Sequence, residues 1–144
     1  YKRQGYGAVT PYLIVTDTRA QLDFIVNALG GSEVMAMRTP DGTPMHAEAQ
    51  IGDSKVMMGL ASDEYKAMPA MLYVYVKEVD GAYRQALGAG AESISEPADQ
   101  FYGDRTAAVK DPNGNHWYLA THVEDITPEE MDRRAQAAMQ QGGG

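Results

Sequence analysis

The stretch IVTDTRAQLDFIVNALGGSE at residues 14–33 has a counterpart later in the chain, YVKEVDGAYRQALGAGAE at residues 75–92. Each copy consists of the end of a strand, an amphipathic helix and a Leu-Gly stop followed by small residues. Extended segments follow each helix and close at a polar turn that contains glycine, IGDSK at 51–55 and DPNGN at 111–115. A pattern repeated at an offset of roughly 60 residues indicates two equivalent structural modules.

The repeat predicts an α+β fold in which two βαβββ modules follow one another and form a cleft of curved sheets. Asp17 provides an N-cap for the first helix, whose predicted inner face comprises Leu22, Ile25, Val26 and Leu29. Thr127-Pro128-Glu129-Glu130 has the form of a capping box and predicts the start of a C-terminal helix. The predicted organisation is an N-terminal arm at 1–7, modules at 8–60 and 70–122 joined by a linker at 61–69, a C-terminal helix at 123–140 and a disordered tail at 141–144.

Alternation along the strands assigns two faces to each predicted sheet. Strands are predicted at 9–15, 33–38, 44–51, 55–60, 71–76, 92–95, 105–110 and 116–121, with a longer loop at 96–104. The face expected to lie under the helices carries Val9, Leu13, Val15, Met45, Ala47, Ala49, Ile51, Leu72, Val74, Val76, Trp117 and Leu119. The opposite face is aromatic and polar, with Thr10, Tyr12, Ile14, His46, Glu48, Gln50, Met71, Tyr73, Tyr75, His116 and Tyr118. Tyrosines that recur on one face favour a ligand cavity, with a plain solvated surface as the alternative.

Composition narrows the classes of partner. The 144 residues suffice for one domain with a core, and the net charge of −8 argues against a nucleic-acid partner. The absence of cysteine excludes disulfides, thiol nucleophiles and cysteine zinc sites. No apolar window approaches the roughly 18 residues of a membrane span, and no secretory pattern opens the sequence, so a cytoplasmic location is expected.

Several segments resemble the vicinal oxygen chelate superfamily of glyoxalase I, bleomycin-resistance proteins and extradiol dioxygenases, in particular its small glyoxalase-like subgroup. They are VTPYLIV at 9–15, MHAEAQIGDS at 45–54, FYGDR at 101–105, DPNGNHW at 111–117 and ATHVEDITPEEM at 120–131. The resemblance covers nearly the whole chain and implies the duplicated fold and a homodimer. It leaves the reaction open, since the superfamily contains isomerases, dioxygenases, lyases and metal-free drug binders. One departure is Ile25, where the subgroup usually has Tyr or Trp.

The resemblance also implies four metal-ligand positions, which fall by strand register on Thr10, His46, Met71 and Tyr118. His46 alone among them is a good ligand for a divalent metal, because neutral hydroxyls and a thioether bind such ions poorly. We therefore expect no metal and no other cofactor. A divalent metal in a rearranged site remains the alternative, with Glu48 or His116 recruited beside His46.

Individual residues suggest roles that leave both an enzyme and a binding protein open. His46 could act as a general acid or base with Glu48 orienting it, or the two could form a hydrogen-bonded pair without catalysis. Arg105 could clamp an anionic ligand at the cavity mouth, or form a structural ion pair. The first hypothesis is a homodimeric protein that binds a small aromatic or oxygenated molecule in a Tyr/Met-lined cleft. The alternative is a lyase, isomerase or dioxygenase that uses His46 or a rearranged metal site. His122, Glu124 and Asp125 are expected to fix the docking of the last helix.

Overall fold

A computed structural model describes residues 1–142 and has the predicted element order βαβββ twice, followed by a C-terminal helix. The α+β fold class is thereby confirmed. The elements are β1 (Tyr12–Val15), α1 (Thr18–Leu29), β2 (Ser32–Arg38), β3 (Pro44–Ile51), β4 (Ser54–Leu60), β5 (Met71–Tyr75), α2 (Val79–Gly88), β6 (Glu92–Asp99), β7 (Asp104–Lys110), β8 (His116–His122) and α3 (Pro128–Gly142).

Each module builds its own sheet of four strands, in the orders β1-β4-β3-β2 and β5-β8-β7-β6. The first strand of each module lies parallel to the last, and the other pairs are antiparallel. Helix α1 packs on its own sheet, α2 packs on the other, and the two helices contact each other. The core between helices and sheets contains the side chains that alternation assigned to the inner face, such as Leu13, Ala47, Trp117 and Leu119. None of the helices within residues 1–142 combines the length and apolar character needed to span a bilayer.

The ends of α1 follow from local chemistry. The Asp17 carboxylate accepts a hydrogen bond from the Ala20 backbone N at 2.9 Å, so the predicted cap is confirmed. Gly30 ends the helix at φ 68°, a left-handed conformation that glycine adopts without steric cost. The predicted inner face was wrong at Val26, which is 39% exposed. The buried face is formed by Gln21, Leu22, Phe24, Ile25 and Ala28.

Three strand predictions need correction. β1 begins at Tyr12 rather than at residue 9, directly after Pro11, which has no N–H to donate, and Val9 is 89% exposed. Met45 was expected in the core but is 49% exposed at the start of β3.

β6 extends to Asp99, which reduces the predicted 96–104 loop to a short turn. An edge strand with register shifts accommodates Pro97 there.

The DPNGN turn joins the two modules. The Asp111 carboxylate accepts hydrogen bonds from Gln21 Nε2 and Trp117 Nε1, each at 2.8 Å, and from the backbone N of Asn113 and Asn115, each at 2.9 Å. Gln21 belongs to α1 of the first module, and Asp111 is only 3% exposed. The turn of the second module is therefore anchored on the helix of the first.

The C-terminal helix docks through the segment before it. Thr127 Oγ1 accepts a hydrogen bond from the Glu130 backbone N at 3.2 Å, which confirms the predicted N-cap. Arg134 donates to Glu124 at 2.7 Å, in agreement with the expected docking role of Glu124. The helix spans Pro128–Gly142 rather than 123–140, so residues 141–142 of the predicted disordered tail are helical. Residues 143–144 of that tail lie outside the described residues.

Candidate ligand site on the first sheet

Three polar side chains form a hydrogen-bonded chain on the face of the first sheet that is opposite α1. Tyr12 from β1 contacts His46 from β3, with Oη 3.0 Å from Nδ1. His46 Nε2 lies 2.7 Å from Oε2 of Glu48, two residues along the same strand. Strand alternation predicted this shared face, and the structure brings the three residues into one chain.

Gly59 makes the contact between Tyr12 and His46 possible. It lies directly across from His46 in the β3–β4 ladder. A Cβ at this position would lie 2.6 Å from Tyr12 Oη and 3.1 Å from a ring carbon of the same tyrosine. The Tyr12 ring therefore rests on the backbone of β4, and the missing side chain lets its hydroxyl reach the imidazole.

The N-terminal arm completes the environment of Glu48. The Arg3 guanidinium and the Tyr6 hydroxyl both donate to Glu48 Oε1. Burial raises the pKa of Glu48, but hydrogen bonds from His46, Tyr6 and Arg3 outweigh it and hold the pKa below its ordinary value. The hydrogen bond to Glu48, together with burial, raises the pKa of Tyr6. Glu48 is thus a buried carboxylate, 2% exposed, that stays ionised at neutral pH.

The direction of the hydrogen bonds follows from the charge on Glu48. A carboxylate only accepts, so a neutral His46 must donate from Nε2 to Glu48, and we assign this tautomer from the network. In this tautomer Nδ1 is an acceptor, and the Tyr12 hydroxyl, 3.0 Å away, is its donor. The lone pairs of the Tyr12 oxygen remain available to accept a hydrogen bond from outside the chain of residues.

A cavity of about 530 Å³ lies in front of Tyr12. Its lining is mostly apolar and aromatic, which is typical of small-molecule sites. The lining residues are Tyr12, Ile14, Met45, Gly59, Leu60 and Tyr65. Met35 and Met37 of β2 lie across from Glu48 and His46 and extend the surface with thioether side chains.

The second sheet carries a separate polar cluster on its corresponding face. Asp104 Oδ2 accepts hydrogen bonds from the hydroxyls of Tyr73 at 2.7 Å and Tyr75 at 3.0 Å. Its other oxygen lies 3.0 Å from His122 Nδ1, and His122 Nε2 lies 2.7 Å from Asp125. Burial and the hydrogen bond to Asp104 raise the pKa of Tyr73. This cluster is built around a buried carboxylate, as the first one is.

Stability should depend on the charge of His122. Hydrogen bonds to Asp104 and then to Asp125 raise the pKa of His122 above 6.5. Its contribution is therefore fully present below the unfolded-state pKa and is lost as pH rises through the folded-state pKa. Urea unfolding of His122→Asn and the unsubstituted protein should show a stability difference that is largest below about pH 6.5 and shrinks at alkaline pH. A difference that grows with pH would contradict the assignment.

Comparison with known proteins identifies the family. Residues 6–119 match the Glyoxalase/Bleomycin resistance protein/Dioxygenase superfamily. The chain belongs to this superfamily. An uncharacterised protein of Mycobacterium bovis is 31% identical over 147 residues, covering 94% of each chain, and one of Mycobacterium tuberculosis is equally identical over 94% of this chain and 84% of the relative.

Solved structures share this fold. TioX from Micromonospora sp. ML1 has a TM-score of 0.69 at 24% identity, covering 81% of this chain and 100% of TioX. A glyoxalase-related enzyme from Fulvimarina pelagi has a TM-score of 0.65 at 18% identity, covering 80% of this chain and 87% of that enzyme. At these identities the likeness shows the fold alone.

The four positions at which the superfamily would hold a metal ion carry one imidazole, the neutral hydroxyls of Thr10 and Tyr118, and a thioether, and neutral hydroxyls and thioethers bind divalent ions poorly. Both ring nitrogens of His46 are engaged, by Tyr12 and by Glu48. Both oxygens of Glu48 are engaged as well, by His46 and by the arm. Thr10 lies before β1, and Met71 offers only a thioether, which is a soft ligand. Among residues 1–142, no three His, Asp or Glu side chains form a group that could hold a metal ion.

The other predicted ligand residues lie in different places. Thr10 lines a second cavity of about 340 Å³ along β5, together with Tyr73 and Tyr75. Met71, His116 and Tyr118 share the face of Tyr73 through the parallel β5–β8 register. Gln50 lies on the first sheet, where its side chain donates to the Gly52 carbonyl at 2.8 Å.

Arg105 does not face either cavity. Its guanidinium donates to Asp80 of α2 at 2.9 Å and to Asp99 of β6 at 3.1 Å. The neighbouring Asp104 points to the tyrosines of β5, and adjacent strand residues point to opposite faces. The predicted clamp for an anionic ligand is therefore replaced by the structural ion pair that was its alternative.

Sequence reasoning missed the contacts of Arg3 and Tyr6 with Glu48 and the acceptor role of Asp104, and it named His122 only for the docking of the last helix. Arg3 and Tyr6 lie in a segment without periodicity, so no sequence pattern predicted their contacts with Glu48. Asp104 could have been found from its position, since a β7–β8 pairing that starts there places it opposite His122.

Proposed function

We propose that the chain binds a small planar molecule that carries a hydroxyl group, in the cavity in front of Tyr12 and without a metal ion. The observation that carries the proposal is the hydrogen-bonded chain from Glu48 through His46 to Tyr12. With His46 in the tautomer assigned from the network, the chain ends at an oxygen that accepts, inside an apolar and aromatic cavity. A ligand that matches this site presents a flat apolar body and one hydrogen-bond donor.

Removal of the Tyr12 hydroxyl tests this match. Isothermal titration with 2-naphthol and 2-methoxynaphthalene compares a ligand that donates with one of similar shape that cannot. Tyr12→Phe should weaken 2-naphthol binding about three- to tenfold, the loss expected for one hydrogen bond, and leave 2-methoxynaphthalene unchanged.

Tyr65→Phe is the matched control, because Tyr65 lines the same cavity but takes no part in the chain to Glu48. It should leave both affinities unchanged. Equal affinity of the unsubstituted protein for the two naphthalenes would refute the donor preference, and no saturable binding of either would refute the proposed function.

Metal content tests the metal-free part of the proposal. Protein purified without a chelator or a metal-affinity column, then incubated with Ni, Mn, Zn or Fe(II) and desalted, should retain much less than one metal per chain. Elemental mass spectrometry measures this. Stoichiometric metal that disappears in His46→Ala would overturn the proposal, since it would show that Tyr12 and Glu48 release the imidazole.

An acid–base enzyme is the second candidate, and the same hydrogen-bonded chain favours it. With His46 oriented by a buried carboxylate, the Tyr12 oxygen and the imidazole can exchange a proton with a bound molecule. Turnover that is lost in both Tyr12→Phe and His46→Gln would support the enzyme. Tight binding without chemical change of the ligand would support the binding protein proposed first.

We further propose a homodimer, in which a second copy covers the apolar surface near the cavities. Large side chains that are exposed there include Met37, Tyr65, Met68, Met71, Tyr73 and Tyr75. An apolar patch of this kind often marks an interaction surface. Sedimentation analysis at micromolar concentration should give the mass of two chains, and a strictly monomeric species would refute it.

A further inference from the structure

The N-terminal arm occupies a site on the first sheet. Arg3 and Tyr6 lie 45 and 42 residues before Glu48 in sequence, yet both donate to the same carboxylate oxygen. The Glu48 side chain is 3% exposed, whereas the Arg3 side chain is 53% exposed. The arm therefore reaches inward from the surface to a buried negative charge.

Few other contacts hold the arm in place. Lys55 Nζ donates to the Gly5 carbonyl at 2.9 Å and lies 5.1 Å from the centre of the Tyr6 ring. Residues 1–7 belong to no helix or strand, and Tyr6 alone among them is even partly buried. Segments with few buried contacts open locally at low free-energy cost.

The arm presents a definite chemistry to Glu48. The Arg3 guanidinium carbon lies 4.1 Å above the centre of the Tyr6 ring. A cation stacked on an aromatic ring thus reaches a buried carboxylate, with a phenol hydroxyl beside it. A small aromatic molecule with an amidine, guanidine or amine group carries the same features in one body.

We propose that the arm is a displaceable internal occupant of the Glu48 site, and that a small aromatic molecule with a cationic group replaces it. The proposal rests on the proposed function, since it adds a charged group to the ligand of the same sheet face. A neutral ligand cannot replace Arg3, because it would exclude water from the Glu48 carboxylate without supplying a counter-charge, which is strongly unfavourable. The cation is therefore the part of the ligand that opens the arm.

Benzamidine and its neutral isostere benzamide test the proposal by isothermal titration. If the arm leaves Glu48 about a tenth of the time, removal of its competing cation in Arg3→Ala should tighten benzamidine binding about tenfold. The affinity for benzamide should be the same in Arg3→Ala as in the unsubstituted protein. Lys2→Ala is the matched control, since Lys2 is a cation of the arm that donates to the Tyr6 carbonyl rather than to Glu48.

Two further measurements keep the test decisive. Glu48→Gln in the Arg3→Ala background should remove the gain for benzamidine. In the unsubstituted protein, saturation with benzamidine should move the amide NMR signals of residues 2–6 to random-coil positions, so the result does not depend on folding of a variant. Unchanged arm signals at saturation, or equal benzamidine affinity with and without Arg3, would overturn the proposal.

Failure of this proposal is distinguishable from failure of the proposed function. Benzamidine could fail to displace the arm while 2-naphthol still binds in a manner that depends on Tyr12. That result would support the ligand site at Tyr12 and refute the cation site at Glu48. If 2-naphthol does not bind either, the proposed function itself is refuted.

Discussion

Replacing Asp111 with alanine is expected to lower the free energy of unfolding by about 4 kcal/mol. The carboxylate accepts from Gln21, from Trp117 and from two backbone N–H groups of its own turn. Trp117 is 0% exposed and Gln21 is 0% exposed, so water cannot replace the lost acceptor for either side chain. Each buried donor left without a partner costs about 1–3 kcal/mol.

Thermal unfolding followed by circular dichroism measures the effect. A loss of about 4 kcal/mol corresponds to a decrease in Tm of about 10 °C for a domain of this size. Asp53→Ala is the matched control, because Asp53 occupies the equivalent turn of the first module and is exposed. A Tm for Asp111→Ala within 2–3 °C of the control, about 1 kcal/mol, would show that the network contributes little.

Gly103→Ala is expected to destabilise the protein by about 3 kcal/mol and to release the C-terminal helix. Gly103 has φ 97°, and a Cβ added there would overlap the carbonyl oxygen of Glu124. That segment cannot move away freely, because the backbone N of Val123 and of Glu124 donate to the Gly103 carbonyl at 2.9 and 3.1 Å. The methyl group must therefore break the contact between the turn and the segment that leads into α3.

Limited trypsin digestion should show this release as faster cleavage after Arg133 and Arg134. Gly114→Ala is the control, since Gly114 has φ 85° and a Cβ there would meet no atom within 4 Å. Gly114→Ala introduces the backbone strain without the overlap and should lower the free energy of unfolding by about 1 kcal/mol. Similar cleavage rates in the two variants would mean that strain, and not the overlap with Glu124, determines the outcome.

Most of the fold could be predicted from the sequence, because helix caps and strand alternation are local signals. Asp17 and Thr127 were found as caps, and the bounds of β3 were predicted to the residue. The errors in the strand bounds lie where the alternation of side chains and the hydrogen-bonding capacity of proline lead to different predictions. Alternation continues through Pro11 into Val9 although Pro11 cannot donate, and it breaks at Pro97 although an edge strand tolerates proline.

The candidate site could be predicted only in part. Alternation placed Tyr12, His46 and Glu48 on one face, since the three belong to paired strands. The arm contacts could not be predicted, because Arg3 reaches Glu48 across 45 residues with no periodic pattern to mark it. Arg105 was predicted as a candidate clamp because the alternation of side chains along β7 was not applied to it. Its side chain lies on the face of the second sheet that α2 covers, where it donates to Asp80.

The bridge between α1 and the DPNGN turn has a consequence for the folding of the two modules. Phe24 of α1 packs against Trp117 of β8, with ring centres 6.1 Å apart, beside the contact of Gln21 with Asp111. A half-chain that ends after β4 would expose Phe24 to water and leave the Gln21 amide without its acceptor. The repeats are therefore similar in architecture but not autonomous, and they are expected to unfold together in one cooperative transition.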